Sequence, residues 1–232
     1  MIRVTRQGTV FSGSNEHLNE LRSQFNQQHY LRFPELLEPE LLEFLQGRID
    51  RGEFYERVHQ DIGPNKELCL TGSAASGALS CLMNDERLFQ IIQSITECEL
   101  PRCFEGRIYR AIPNHGHHDA WHNDVIENRL VGLSINLSRE VYTGGVLQIR
   151  NRESREMVAE VSNVGAGDAI VFRLARYLEH RITEVDGHAA KTAFAGWFRS
   201  QPDWISFVRT QIHTGSKIRK LADSAGCAGV SR

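Results

Sequence analysis

Histidines and aspartates cluster in one short stretch of the chain. Four of the ten histidines lie between positions 115 and 122, and Asp119 and Asp124 lie among them or just after them. Imidazole nitrogens and carboxylate oxygens are good ligands for divalent transition metals. In an extended segment, residues i and i+2 point to the same side, so a His-x-Asp pair can offer one nitrogen and one oxygen to a single ion. The stretch therefore predicts a metal site.

The stretch contains two His-x-Asp pairs, His117 with Asp119 and His122 with Asp124. We favour the second pair because a tryptophan precedes it directly and an apolar strand is predicted soon after it. Proline, asparagine and glycine residues surround the first pair and are typical of a loop. His117 and His118 are then interpreted as loop residues or as residues at the rim of a substrate pocket. A His-x-Asp pair by itself is weak evidence for a metal site.

A third ligand for the same ion has to come from another part of the chain. His180 begins the run His-Arg-Ile-Thr-Glu-Val, soon after an apolar strand that is predicted over residues 168–173. A single histidine in that position is more often structural. Two histidines and one carboxylate on one face of an ion are the ligand set of many non-haem Fe(II) oxygenases, and they leave positions open for oxygen and substrate.

The spacing of apolar residues indicates which elements hold these side chains. In the first hundred residues, leucines, isoleucines and phenylalanines recur at helical spacing, and Pro39 and Asp85 stand where helices could begin. From about residue 104 the pattern changes to short β-rich runs between turn residues. We predict a mainly β fold, with residues 1–103 as mostly helical support and residues 104–200 as a β-barrel core. The predicted strands are 104–112, 130–137, 145–150, 157–162, 168–173, 180–185 and 189–198.

Composition narrows the function classes. The 232 residues suffice for one domain with a substantial core, which we place at 1–214, followed by a flexible C-terminal tail at 215–232. The net charge of −2 gives no electrostatic footprint for nucleic acid or an anionic membrane. The five cysteines are odd in number, contain no C-x-x-C pair and favour a reducing compartment. With no apolar signal segment or membrane span, the chain is predicted to be cytoplasmic. Its oligomeric state is not predicted.

A longer ordered pattern resembles the Fe(II)/2-oxoglutarate-dependent dioxygenase superfamily, in its prolyl-hydroxylase-like branch. The resemblance covers roughly residues 104–200, and its motifs occur in the order of that family. They are WHND at 121–124, Arg129 followed by LSINL at 133–137, GGVLQI at 144–149, VGAGDAIVF at 164–172, HRITEV at 180–185 and AGWF at 195–198. Val164 stands where the family usually has proline.

The resemblance implies a fold and a reaction. The fold is a double-stranded β-helix, a jelly-roll barrel buttressed by helices. His122, Asp124 and His180 would be the catalytic metal ligands for Fe(II), with 2-oxoglutarate and O2 as cosubstrates and ascorbate as a supporting reductant. The reaction would hydroxylate an unactivated C–H bond of a small molecule, an amino acid derivative or a peptidyl residue, with release of succinate and CO2. Related halogenases replace the carboxylate ligand by a small residue, so Asp124 favours hydroxylation over halogenation, while desaturation or cyclisation stays open.

The same resemblance implies a cosubstrate pocket around Lys191, six residues before Trp197, with Tyr109 and Thr192 as further carboxylate partners. Strand alternation independently puts Lys191 on one face with two alanines and Trp197, and a buried lysine needs an anion as partner. Arg129, Trp197, His117 and His118 are candidates for substrate contact or for a gate.

Two other functions remain open at this point. A cupin-like metal-binding barrel could act without 2-oxoglutarate, or the barrel could be a non-enzymatic ligand-binding or sensor module. Oxygenation that does not depend on 2-oxoglutarate would indicate the cupin-like barrel instead of the Fe(II)/2-oxoglutarate-dependent family.

Overall fold

The computed structural model describes residues 1–59, 65–126 and 128–202. Residues Met1–Ser200 form one compact unit. The predicted domain end at 214 and the predicted tail at 215–232 lie outside the described residues. No helix in the described part of the chain is long and apolar enough to cross a membrane.

The described residues form helices and strands in the following order. They are β1 (Ile2–Thr5), β2 (Gly8–Phe11), α1 (Asn15–Gln28), β3 (Tyr30–Phe33), α2 (Pro39–Ile49), β4 (Phe54–His59), β5 (Asn65–Leu70), α3 (Ala74–Met83), α4 (Glu86–Thr96), β6 (Cys103–Ala111), β7 (Arg129–Asn136), β8 (Thr143–Gly144), β9 (Leu147–Asn151), β10 (Met157–Val161), β11 (Ala169–Arg173), β12 (Leu178–Ile182), β13 (Val185–Asp186) and β14 (Lys191–Arg199).

The residues that mark helix starts in the sequence stand where α2 and α4 begin. Pro39 occupies the first turn of α2, where its missing N–H costs nothing. Asp85 caps α4 by accepting a hydrogen bond from the Arg87 backbone N–H, and its carboxylate also accepts one from the N–H of Thr9 in β2. The buried apolar stripes of α2 and α4 pack in one cluster with apolar residues of the large sheet. The helices thus support one face of that sheet, as predicted.

Two facing β-sheets form the barrel. The larger sheet has the strand order β3-β11-β7-β14-β6-β5-β4, and all of its pairs are antiparallel. The smaller sheet has the order β10-β9-β12, and β13 and β8 form a separate short pair. Ile170 and Phe172 of the larger sheet share an apolar cluster with Leu147 and Ile149 of the smaller one. The predicted jelly-roll class is confirmed, and the seven predicted strands are each found within a few residues.

The N-terminal hundred residues are less helical than predicted. The strands β3, β4 and β5 belong to the larger sheet, where β3 pairs with β11 and β5 pairs with β6. These strands are short and follow helices closely, so the apolar periodicity of the helices masks their alternation. The N-terminal part therefore extends the barrel sheet as well as supporting it.

Candidate metal centre and cosubstrate pocket

A paired backbone contact brings two histidines together. The N–H of His122 donates to the carbonyl of His180 at 3.0 Å, and the N–H of His180 donates to the carbonyl of His122 at 2.9 Å. Residues that exchange both hydrogen bonds in an antiparallel pair present their side chains on the same face of the sheet. The two imidazole rings are accordingly in edge contact, with their centroids 4.3 Å apart.

Asp124 completes a group of three potential ligands. Its Oδ2 atom lies 3.7 Å from His122 Nε2 and 3.4 Å from His180 Nε2. The three ligand atoms all lie within 4.8 Å of one another, and His122, Asp124 and His180 are the one such group among the described residues. Ligands about 2.1 Å from one ion and at right angles to one another lie about 3 Å apart. The spacing of the three donor atoms therefore fits a divalent transition metal with only small adjustments.

The hydrogen bonding of His122 selects the nitrogen that can bind a metal. Its Nδ1 lies 2.8 Å from the carbonyl oxygen of Ala120. Because a carbonyl only accepts, Nδ1 must carry the hydrogen, and the lone pair of the neutral ring is then on Nε2. This hydrogen bond at Nδ1 fixes both the tautomer and the orientation of the His122 ring, as is usual for metal-binding histidines. Nε2 is the atom that faces Asp124 and His180.

Burial and charge prepare these groups for a cation. Burial alone would raise the pKa of Asp124, but hydrogen bonding and charge at His122 and His180 hold it well below its ordinary value. Burial also lowers the pKa of His180. For His122, burial acts to lower the pKa, but hydrogen bonds to Asp124 and to the Ala120 carbonyl, together with the charges of Asp124 and Asp119, outweigh it and raise the pKa. The carboxylate is thus ionised at neutral pH, and His180 is kept neutral, as metal ligands must be.

Arg129 and Trp197 hold the Asp124 carboxylate from both sides. Arg129 donates to Oδ1 at 2.7 Å, and the indole N–H of Trp197 donates to Oδ2 at 2.9 Å. The Arg129 guanidinium also stacks on the Trp197 ring, 3.5 Å from its centroid. From the sequence, Arg129 and Trp197 are predicted only as candidates for substrate contact or for a gate. The structure places both of them against the acidic ligand of the triad.

Lys191 is buried and has no acidic partner. Its side chain is 3% exposed, and its Nζ donates to the carbonyl of Gly145 at 2.8 Å. No carboxylate of the described residues lies within 4.0 Å of it. Gly145 has a left-handed φ of 57°, and a Cβ there would lie 2.9 Å from Lys191 Cδ, so only glycine brings its carbonyl this close. Burial lowers the pKa of Lys191 to about 8, opposed by the charge of Asp119.

Tyr109 and Thr192 lie on different sides of the larger sheet. Tyr109 pairs with Ala193 across β6 and β14, and Ala193 shares the face of Lys191, so Tyr109 borders the same side. Its hydroxyl makes no hydrogen bond to the described residues, and burial raises its pKa. Thr192 lies on the opposite face, where its Oγ1 accepts a hydrogen bond from Arg110 at 3.0 Å. The structure therefore brings Tyr109, but not Thr192, to the lysine.

The first His-x-Asp pair is not assembled into a ligand group. His117 is buried, and its Nδ1 accepts a hydrogen bond from the Ile112 N–H at 2.8 Å, which ties the loop to the end of β6. His118 is exposed in that loop. Asp119 is bound through its backbone N–H to the Ile182 carbonyl, and its charge acts on the pKa values of His122, His180 and Lys191. The triad and the buried lysine are thus within electrostatic reach of one carboxylate.

One polar residue of the site was missed by sequence analysis. Asn123, between the two ligands of the WHND motif, donates to the carbonyls of Ala175 and Leu178, more than fifty residues away. Nothing local in the sequence indicates these partners, because they are set by how the strand of His180 meets the metal loop.

The comparisons with known proteins agree with this geometry. Residues 106–199 match the sequence model of the 2OG-Fe(II) oxygenase superfamily. None of the curated proteins compared with the chain matches it significantly. The match runs from within β6 to the end of β14 and includes all three residues of the triad. The chain is therefore similar to that superfamily over the strands that carry the triad.

Solved structures of similar fold come from several organisms. A prolyl-4-hydroxylase from Pseudomonas putida matches with a TM-score of 0.58 at 19% identity, over 79% of this chain and 99% of that one. A 2OG-Fe(II) oxygenase-family oxidoreductase from Burkholderia pseudomallei matches with a TM-score of 0.61 at 15% identity, over 87% and 97%. A prolyl hydroxylase from Trichoplax adhaerens, in complex with a hypoxia-inducible-factor peptide, matches with a TM-score of 0.59 at 14% identity, over 80% and 90%.

Replacement of Lys191 by methionine should stabilise the free protein. A pKa lowered from 10.5 to about 8 means that the buried charge costs about 3 kcal/mol of folding free energy. In the unfolded state Lys191 keeps its proton up to pH 10.5, whereas in the folded state it loses the proton near pH 8. The cost is therefore fully present below pH 8 and fades between pH 8 and 10.5. Urea unfolding of Lys191→Met should therefore show a gain in stability at pH 7 that shrinks as the pH rises. A loss of stability at every pH would mean that the Gly145 carbonyl fully compensates the ammonium.

Proposed function

We propose that this oxygenase uses Fe(II) and 2-oxoglutarate to hydroxylate an unactivated C–H bond of a small molecule, an amino acid derivative or a peptidyl residue, with release of succinate and CO2. The observation that supports it most strongly is the combination of a two-histidine, one-carboxylate triad with a buried lysine that lacks an acidic partner in the described part of the chain. The triad accounts for a metal, and the lysine accounts for an anionic cosubstrate. A cupin-like barrel without 2-oxoglutarate gives no reason for the lysine.

His122, Asp124 and His180 are proposed as the Fe(II) ligands. Iron held by such a triad supplies the oxygen chemistry that side chains lack, and it keeps positions open for cosubstrate and O2. The protein contributes the position of each donor. His122 and His180 present Nε2 from a bridged pair of segments, and Asp124 presents Oδ2, since Arg129 occupies Oδ1. This arrangement favours binding by a single carboxylate oxygen.

Lys191 is proposed to bind the distal carboxylate of 2-oxoglutarate. A buried ammonium gains most from an anion that arrives with the cosubstrate, because no acidic side chain of the described residues already neutralises it. The hydroxyl of Tyr109 is a second donor on the same side of the sheet. The small side chains of Ala193 and Ala195, which alternate with core residues along β14, leave room between the lysine and the triad. Thr192 is not part of this proposal.

Arg129 and Trp197 act on the substrate side as positioning residues of Asp124. Their two hydrogen bonds and the stack between them keep the carboxylate in one orientation. An ionised carboxylate ligand is what separates a hydroxylating site from a site that leaves room for halide. Ascorbate is proposed as a supporting reductant.

The substrate class is proposed more broadly than the reaction. One similar structure is a prolyl-4-hydroxylase and another is a prolyl hydroxylase bound to a peptide, whereas others are an epimerase and a carbocyclase from nogalamycin biosynthesis. The fold thus serves peptide and small-molecule substrates alike.

The cytoplasmic location stays a prediction. It rests on the five cysteines, of which Cys69, Cys81, Cys98 and Cys103 are free thiols in the described residues.

The triad is tested by anaerobic binding of Fe(II) and 2-oxoglutarate. We expect the wild-type protein to develop the visible charge-transfer absorption of an iron-bound 2-oxo acid, and to convert 2-oxoglutarate slowly to succinate when air is admitted. The variants His122→Ala and His180→Ala should lose both signals because each removes one of three ligands. His117→Ala is the matched control and should keep them. Loss of the band in His117→Ala and its survival in His122→Ala would point to the other His-x-Asp pair.

Cosubstrate affinity should depend on the protonation of Lys191. Because its pKa is about 8 in the free protein, the binding of 2-oxoglutarate should be nearly constant below pH 8 and weaken about tenfold per pH unit just above it. Calorimetric titration with excess Mn(II) in place of iron measures this without turnover. The variant Lys191→Arg stays charged throughout that range and should bind with no such loss. A flat profile for the wild-type protein up to pH 9.5 would count against Lys191 as the anion partner.

A further inference from the structure

The segment that carries Asp124 departs from regular strand pairing directly after His122. In an antiparallel ladder, hydrogen-bonded pairs recur every second residue, so a pair between His122 and His180 is followed by a pair between residues 124 and 178. The second pair does not form. No hydrogen bond joins the Asp124 N–H to the Leu178 carbonyl among the described residues, and the bridge at His122 stays isolated. The ladder stops between the two metal ligands.

The side chain of Asn123 occupies the place of the missing pair. Its Nδ2 donates to the carbonyl of Leu178 at 2.5 Å and to the carbonyl of Ala175 at 2.7 Å. Its Oδ1 accepts a hydrogen bond from the Val125 N–H at 2.8 Å. The amide thus satisfies the carbonyl that the Asp124 backbone leaves unpaired, and it also fixes the turn that follows Asp124. Both hydrogens of the amide and its oxygen are in use.

The consequence lies in the position of the carboxylate. Residues i and i+2 of a regular strand are about 6.6 Å apart along the strand and point the same way, which keeps their side chains side by side. Here the backbone turns away after His122, and the Asp124 carboxylate lies against the Nε2 atoms of both histidines. Arg129 and Trp197 hold the carboxylate itself, but they do not determine where its backbone leaves the strand.

We propose that Asn123 is a positioning residue of the metal centre, which ends the ladder at His122 and thereby turns Asp124 into the third ligand. The proposal rests on the proposed function, since it assumes that the triad binds a metal. Without the amide, the Asp124 N–H is free to pair with the Leu178 carbonyl. That pairing extends the ladder and draws the carboxylate away from the two imidazoles.

The test is metal binding and Asp124 geometry in three variants. Asn123→Ala removes all three hydrogen bonds. Asn123→Asp keeps the shape and the acceptor for Val125 but loses both donors, and its added negative charge by itself favours a cation. Asn151→Ala is the matched control, because Asn151 pairs with Leu178 from the side of β9, and its side chain holds a turn of the smaller sheet through the N–H groups of Glu153 and Ser154 instead of the metal loop. Circular dichroism and thermal unfolding confirm that each variant is folded.

Co(II) titration is the first readout. Partners that orient metal ligands typically contribute 10–100-fold in affinity. We expect both Asn123 variants to bind Co(II) about 10–100-fold more weakly than wild type, with altered visible d–d bands, and Asn151→Ala to match wild type. Weaker binding in Asn123→Asp in spite of the added charge assigns the effect to the lost donors. Wild-type affinity and an unchanged spectrum in both Asn123 variants would overturn the proposal.

The second readout needs no metal. The Trp197 indole N–H is bonded to Asp124, so its ¹H–¹⁵N signal reports the position of the carboxylate in the free protein. The chain has three tryptophans, and the Trp197→Phe spectrum assigns the signal. We expect it to shift in the Asn123 variants and to stay in place in Asn151→Ala; an unmoved signal contradicts the proposal. If the signal shifts while wild type fails to bind Co(II), the positioning role stands and the proposed function fails.

Discussion

The reciprocal hydrogen bonds between His122 and His180 are the constraint on which the site depends. They join the irregular segment after β6 to the edge of the smaller sheet, and they place two imidazoles on one face. Every other feature of the centre is set relative to this bridge. The carboxylate of Asp124 reaches both rings because the pairing stops there, and the partners of the carboxylate lie on the larger sheet. The contact between His122 and His180 thus aligns the potential metal ligands of the segment after β6 with the one on β12.

The electrostatics of the site are unbalanced in the free protein in a way that matches its ligands. Asp124 is held ionised beside a neutral His180, which prepares a site for a cation. Among the described residues, buried Lys191 has the Gly145 carbonyl and the face of the Tyr142 ring as partners but no carboxylate, which prepares a site for an anion. The buried charge of Lys191 lowers the stability of the free protein and gains from an anion. Asp124 is already paired with Arg129, so Lys191 carries the charge that lacks an acidic partner among the described residues, and a dicarboxylate supplies one.

Much of this centre could be predicted from the sequence, and the reasons are local. The strands from residue 104 onward alternate clearly, and the motif order selects one register for His122, Asp124, His180 and Lys191. What could not be predicted depends on partners distant in the chain. The N-terminal strand β3 is recognised only by its pairing with β11, and Arg110 is recognised as the partner of Thr192 only by the pairing of β6 with β14. Asn123 looks like a variable position of a motif until its carbonyl partners are known.

The central claim is that one metal ion and one 2-oxoglutarate share a single pocket. It is tested most directly by diffraction from crystals soaked with Mn(II) and 2-oxoglutarate without oxygen. The account predicts an anomalous peak within about 2.5 Å of the Nε2 atoms of His122 and His180 and of one Asp124 oxygen, with the distal carboxylate of 2-oxoglutarate on Lys191. A peak at His117 and Asp119, or a cosubstrate bound away from Lys191, would contradict it.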